Sequence, residues 1–212
     1  MATLPEFDEL NTIRTRLYEA TTALVTELSL PSGGQQARKR CEDMIFDLIT
    51  MGYAYGIAVA GLSLDEDIPI DSRRMFEVAW EKTKGETFED RINAHIDAAK
   101  AALASEAPET VANRLNEELS VVAETETHRA GNEAVIDGGE WYGDKTGKQV
   151  WKRWQTMEDD RVRDPHWLLE GAEVPLDAYF YTDGDKALFP GGFDRADLNV
   201  NCRCWTTLVP IE

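Results

Sequence analysis

The fold turns on Lys148–Leu208, which reads KQVWKRWQTMEDDRVRDPHWLLEGAEVPLDAYFYTDGDKALFPGGFDRADLNVNCRCWTTL. Short β-favouring runs (Val150 to Trp154, Ala178 to Thr182, Arg203 to Val209) alternate here with turn signals, Asp183-Gly184-Asp185 and Pro190-Gly191-Gly192 among them. That alternation predicts short strands joined by tight turns. Upstream the periodicity is helical almost throughout. The expected fold class is therefore α+β. A mainly α-helical N-terminal region (1–107) precedes a small C-terminal α+β domain (108–212) made of a long helix and short antiparallel strands.

The long helix is expected to start at Pro108, a residue suited to a first helical turn, and to end near Ile136 where Gly138-Gly139 follows. Its apolar stripe, Val111, Leu115, Leu119 and Val122, continues into Glu126, Arg129 and Glu133. A core-facing stripe that turns ionic needs opposite charges from elsewhere. The nearby EDDRVRDPH segment offers Asp159, Asp160, Arg161 and Arg163. The expectation is a partly buried ion network of Glu126, Arg129, Asp160, Arg161 and Arg163 that locks the helix to the C-terminal unit.

Further upstream, Phe7, Leu10, Leu17, Leu24 and Leu28 share one stripe of a first helix, Pro5 to Leu28. Pro31-Ser32-Gly33-Gly34 stops it, and a second helix is expected from Gln35 to Gly61. Within it, Met44 to Leu64 carries a single charge, Asp47, and a Gly52/Gly56 pair. Polar Thr50, Tyr53, Tyr55 and Ser63 argue for a central core helix whose glycines permit close packing rather than for a membrane span. Asp71 or Ser72 should cap a helix running to Lys84. Gly85 breaks the chain there, and Thr87 with Asp90 opens a further helix bearing Phe88, Ile92, His95, Ile96 and Ala99.

Composition narrows the function classes. The 212 residues carry a net charge of −18, a balance that repels nucleic acid and favours basic protein surfaces. Three cysteines are too few for a secreted disulfide framework, so a reducing cytoplasm is expected. The acidic, amphipathic N-terminus does not read as a signal peptide.

Cys202-Arg203-Cys204 is the sharpest local motif. Residues two apart in an extended strand face the same way, so both thiols would meet at one point. With His166, His128 or Cys41 they would form a structural zinc site. The alternative is that both cysteines are small hydrophobes in a buried strand. A Cys–His nucleophile could be built on the same residues. His95, among apolar neighbours, reads as a helix-edge residue. Gly191-Gly192 reads as a tight turn, since no P-loop lysine follows. Trp151, Trp154, Trp167 and Trp205 are expected mostly in the core.

The order of several short motifs is also informative. Glu124-Thr125-Glu126-Thr127-His128-Arg129-Ala130-Gly131-Asn132 precedes Lys152-Arg153-Trp154-Gln155-Thr156 and Asp159-Asp160-Arg161-Val162-Arg163-Asp164-Pro165-His166. Leu169-Glu170-Gly171, Phe180, Pro190-Gly191-Gly192-Phe193 and Asn201-Cys202-Arg203-Cys204 close the series. From Glu118 to Leu208 the chain resembles the Mu F-type head morphogenesis domain, the minor head or minor capsid protein of tailed bacteriophages.

The resemblance implies a low-copy, non-enzymatic structural protein of the phage head, made in the bacterial host cytoplasm. It would bind the portal protein, the major capsid protein or further copies of itself. No specific nucleic acid, no membrane and no cofactor is expected; the one metal that the residues themselves suggest is structural zinc at Cys202, Cys204, His166 and His128. Some relatives carry a fused toxin module. This chain is expected to lack one, because it ends shortly after the Cys-x-Cys strand. The competing expectation is a metal-dependent (zinc) hydrolase or nuclease-like enzyme that uses the same His/Cys cluster, with Glu126 or Asp160 as base.

Overall fold

The structure, a computed structural model, describes residues 8–28, 30, 34–84 and 86–211. Five helices come first: α1 (Asp8–Leu28), α2 (Gln35–Leu64), α3 (Ser72–Lys84), α4 (Glu86–Ala102) and α5 (Pro108–Thr146). Then follow β1 (Val150–Gln155), α6 (Asp164–Trp167), β2 (Glu173–Pro175), β3 (Phe180–Thr182), β4 (Asp185–Ala187), α7 (Ala196–Asn199) and β5 (Trp205–Pro210). The α+β class and the helix-then-strand order agree with the sequence reading. Phe7, the Pro31-to-Gly33 stop, Gly85 and the side chains of Leu10 and Thr87 lie outside the described residues.

α2 and α5 form the central pair. α2 is long and apolar enough to cross a membrane by length and composition. Its stripe of Ile45, Ile49, Tyr53, Ile57 and Ala60 is buried in the helical core, and its most extensive partner is α5. Gly52 and Gly56 make that contact possible. A Cβ at Gly52 would lie 2.3 Å from the Thr127 carbonyl oxygen, and one at Gly56 would lie 2.0 Å from that of Gly131. Only a residue without a side chain permits such an approach.

α5 does not end at Gly138-Gly139 as expected. It continues to Thr146, where Gly147, in the left-handed region at φ 70°, returns its N–H to Gly143 O. The glycines serve contact rather than termination. A Cβ at Gly138 would lie 2.6 Å from the Cβ of Ala60, and one at Gly139 would lie 2.9 Å from the Leu176 side chain. Their missing side chains let α2 and the sheet close on the helix, and the packing they permit outweighs their low helix propensity. Asp71 caps α3, its carboxylate accepting the N–H groups of Arg73 at 2.9 Å and Arg74 at 3.2 Å.

β1 is the middle strand of an antiparallel sheet ordered β2-β1-β5. β3 and β4 form a separate hairpin whose turn, Asp183-Gly184, has φ of 47° and 76°. Two consecutive positive φ angles are what a two-residue hairpin of right-handed twist requires. Pro190-Gly191, with Gly191 at φ 87° and the Gly192 N–H donating to Phe189 O, makes a type II turn.

Two hydrophobic cores result. The larger unites the helices with Val150 and Leu208 from the sheet. The smaller gathers Trp154, Leu169, Phe180, Ala187, Phe193, Leu198, Cys202 and Cys204. The boundary expected at 107/108 falls between α4 and α5, and α5 packs in the same core as α1, α2 and α4. Of the four tryptophans expected mostly in the core, Trp154 is fully buried and Trp167 is exposed.

Candidate functional site

Three expected ligand residues converge in the smaller core. α6 opens on Asp164-Pro165, with proline at the start of the helix where its missing N–H is harmless, and this turn directs His166 inward. On the other side Asn201, at φ 57°, bends the chain immediately before Cys202. An extended Cys202-Arg203-Cys204 then puts both thiols on one face, while Arg203 turns outward to a bidentate pair with Asp159 at 2.9 and 2.5 Å. His166 Nδ1 lies 3.6 Å from Cys202 Sγ and 3.5 Å from Cys204 Sγ. The three side chains are buried, at 1%, 6% and 3% exposure.

The surroundings hold this group rigidly. Trp154 meets the imidazole edge-on at 5.5 Å, and Phe193 stacks on it at 5.8 Å. His166 Nε2 is buried without a hydrogen-bond partner. A cavity of about 10 Å³ adjoins the group, bordered by Met157, Arg161 and Arg163, and offers room for about one water molecule. The Cys204 S–H hydrogen bond lowers Cys202, helped by His166 and opposed by burial. Cys204 is raised by that same hydrogen bond and by burial.

His128 and Cys41 are not in the group. Among the described residues it comprises His166, Cys202 and Cys204 alone. His128, on α5, packs edge-on against Trp205 at 4.8 Å. Burial holds its imidazole below the ordinary range, against the pull of Cys202. Cys41 belongs to the helical core, where burial pushes its thiol up to about 12.

The expected ion network is arranged differently. Glu126, nearly buried, pairs with Arg91 of α4 at 2.7 Å and with Arg129 at 3.9 Å. Asp160 is exposed. Arg161 lies 3.9 Å from Asp159 at the surface, and Arg163 donates to the Val200 carbonyl. The charged segment therefore closes on itself and on Arg203, and does not lock α5 to the C-terminal unit. The ionic half of α5 faces the N-terminal helices instead. Arg74 of α3 reaches Glu133 at 2.9 Å and Asp137 at 3.0 Å, Lys82 reaches Glu133 at 2.6 Å, and the Tyr53 hydroxyl donates to Asp137 at 2.7 Å. Arg74 and Lys82 stand eight residues apart on one helix face, a signal present in the sequence.

Two further residues escaped the sequence reading. Asn132, fully buried, ties α5 to β5. Its side-chain oxygen accepts the Thr206 N–H at 2.7 Å, and its amide donates to the carbonyls of His128 at 3.2 Å and Cys204 at 3.3 Å. Lys152, also fully buried, stands between Val150 and Trp154 on the inward face of β1, at the seam of the two cores. The alternation of burial along β1 was legible; a lysine within it was the clue.

The family described as Phage Mu protein F like protein matches residues 83–207, a span from the end of α3 to β5 that contains the whole site. NAD(+)--arginine ADP-ribosyltransferase EFV of Enterococcus faecalis (strain ATCC 700802 / V583) is 32% identical over 103 residues, which cover 45% of this chain and 21% of that protein. The chain thus spans about a fifth of the length of this curated relative. No solved structure matches.

Proposed function

The chain belongs to the Phage Mu protein F like family, and from that premise we propose that it is a minor structural protein of a tailed-phage head, docking on the portal or the inner capsid surface during assembly. The observation that carries this reading is the family match, continuous over 83–207 and coincident with the α4-to-β5 part of the fold. Three physical features support it. The −18 charge keeps the protein off packaged DNA and suits basic protein surfaces. Phe76 and Trp80 of α3, both about half exposed and stacked at 6.0 Å, offer an aromatic surface of the kind protein interfaces use. The α2–α5 contact is too close to rearrange without separating the helices, which suits a scaffold.

A non-enzymatic role is part of the proposal. The cavity beside His166 and the cysteines holds about 10 Å³, far below the volume of a substrate pocket. The bases weighed for a hydrolase are elsewhere, Glu126 on Arg91 and Asp160 at the surface. The ADP-ribosyltransferase name belongs to the relative, of which this chain spans only a fifth.

The test is quantitative mass spectrometry of purified particles, with this chain counted against the portal and major capsid proteins. A low, fixed copy number per particle is expected. Absence from particles, with the chain abundant in the lysing cells, would overturn residence in the head.

A further inference from the structure

We propose that His166, Cys202 and Cys204 bind a zinc ion, with a water molecule from the adjoining cavity completing the tetrahedron, and that this ion clips α6 to the segment leading into β5. The inference goes beyond the assembly reading and does not depend on it.

Geometry carries it. A zinc ion takes bonds of about 2.3 Å to thiolate sulfur and about 2.1 Å to imidazole nitrogen, so a tetrahedral site has nitrogen-to-sulfur edges of about 3.6 Å. The observed Nδ1-to-Sγ distances are 3.6 and 3.5 Å. One nitrogen stands at that edge length from both sulfurs at once, and the three donor atoms lie within 4.8 Å of one another. Close packing of two small hydrophobic cysteines would not require an imidazole nitrogen aimed between them.

The donor chemistry points to the same class of ion. Two thiolates and an imidazole form a soft set that prefers zinc to magnesium or calcium. Two thiolate charges offset a divalent cation, so the loaded centre is neutral and compatible with burial. Three protein donors leave one position open, and the cavity on that side has room for one water molecule. His128, outside the donor group, is not a ligand. The donors are 36 and 38 residues apart in sequence, so the ion closes a long loop in a part of the chain whose helices and hairpin strands are only three or four residues long.

The experiment uses the full chain, purified under reducing conditions without chelator, and measures zinc by elemental mass spectrometry. Cobalt(II) replacement then reports geometry through its absorption spectrum. A single metal per chain is expected, with sulfur-to-cobalt charge transfer and intense tetrahedral bands. These features should survive in His128→Ala and Cys41→Ala and disappear in Cys202→Ser and Cys204→Ser. Removal of zinc from the wild type should lower the melting midpoint, and zinc added back should restore it. If the serine variants do not fold, titration of the apo wild type decides the matter: zinc must protect two thiols from a thiol reagent. The proposal is overturned if the reduced apo protein takes up no zinc, if His128→Ala alone abolishes binding, or if the cysteines are found joined in a disulfide.

Discussion

Lys152 gives a quantitative test of how the two cores meet. Its side chain is fully buried, donates one hydrogen bond of 2.6 Å to the Leu176 carbonyl, and places Nζ 5.5 Å from the centre of the Phe180 ring. Burial lowers its ammonium from 10.5 to about 8, against the attraction of Asp177. The sign of the linkage follows. Between those two values the unfolded chain still holds the proton that the folded chain has released, so stability rises with pH across the window. At about 1.4 kcal/mol per unit, a shift from 10.5 to about 8 corresponds to about 3 kcal/mol. Lys152→Met keeps length and volume and removes only the titrating group. Urea unfolding of both proteins at pH 7 and at pH 10.5 then gives a double difference in which other groups, such as the hydroxyl of Tyr53 that burial pushes up, cancel. The wild type should gain about 3 kcal/mol on the variant between the two conditions. A difference that does not move with pH would mean that water reaches the ammonium, and the argument for a dry seam would fail.

Gly56→Ala should lower stability by about 3 kcal/mol or more, read by chemical denaturation, because the new methyl would meet the Gly131 carbonyl oxygen at 2.0 Å; a change below about 1 kcal/mol would refute the close α2–α5 contact. Arg91→Ala, which strips the nearly buried Glu126 of its 2.7 Å partner, should destabilise by about 2–4 kcal/mol. Arg163→Ala removes only a donor to a backbone carbonyl and should lose about 1 kcal/mol; the reverse order in melting experiments would restore the network first expected around Arg163. Asn132→Ala should destabilise by about 2–3 kcal/mol and speed hydrogen exchange at the Thr206 amide, whose acceptor at 2.7 Å is lost; an unchanged exchange rate would show that Asn132 does not hold β5.

Local chemistry made part of this legible in the sequence. Asp71 as a helix cap, Asp183-Gly184 as a hairpin turn and the Gly52/Gly56 pair each act through a constraint that belongs to the residue itself. The same holds for the two cysteines, since alternation along an extended segment decides which way they face. What escaped depends on partners distant in sequence. Gly138-Gly139 reads as a helix stop until Ala60 and Leu176 are known to lie against it. Glu126 announces a buried charge, but which of 22 lysines and arginines answers it is set by where α4 crosses α5. His128 stands only four residues from Asn132 and belongs to the motif series, yet the turn of α5 sets it edge-on to Trp205 and outside the group of three donors. Lys152 failed for another reason: a lysine in a strand is normally placed in solvent, and the apolar residues two positions to either side outweigh that habit here.

The smaller core sets the terms for the site. Its eight buried residues are carried by a six-residue central strand and by short turns and hairpins, too little apolar area to hold a unit of this size by burial alone. What fixes it are directed contacts. Asn132 bridges α5 to β5, Thr182 donates its hydroxyl to the Pro165 carbonyl at 2.8 Å, and Arg203 holds Asp159 by two bonds. Each ties one element to another, and among the described residues α6 is joined to the segment before β5 by Arg163 at its N-terminus, which donates to the Val200 carbonyl, and by the contact of His166 with Cys202 and Cys204. An ion at the second point would strengthen that tie. Its removal should therefore loosen α6 and the Cys-x-Cys segment together while leaving α2 and α5, whose backbones touch through glycine, unaffected.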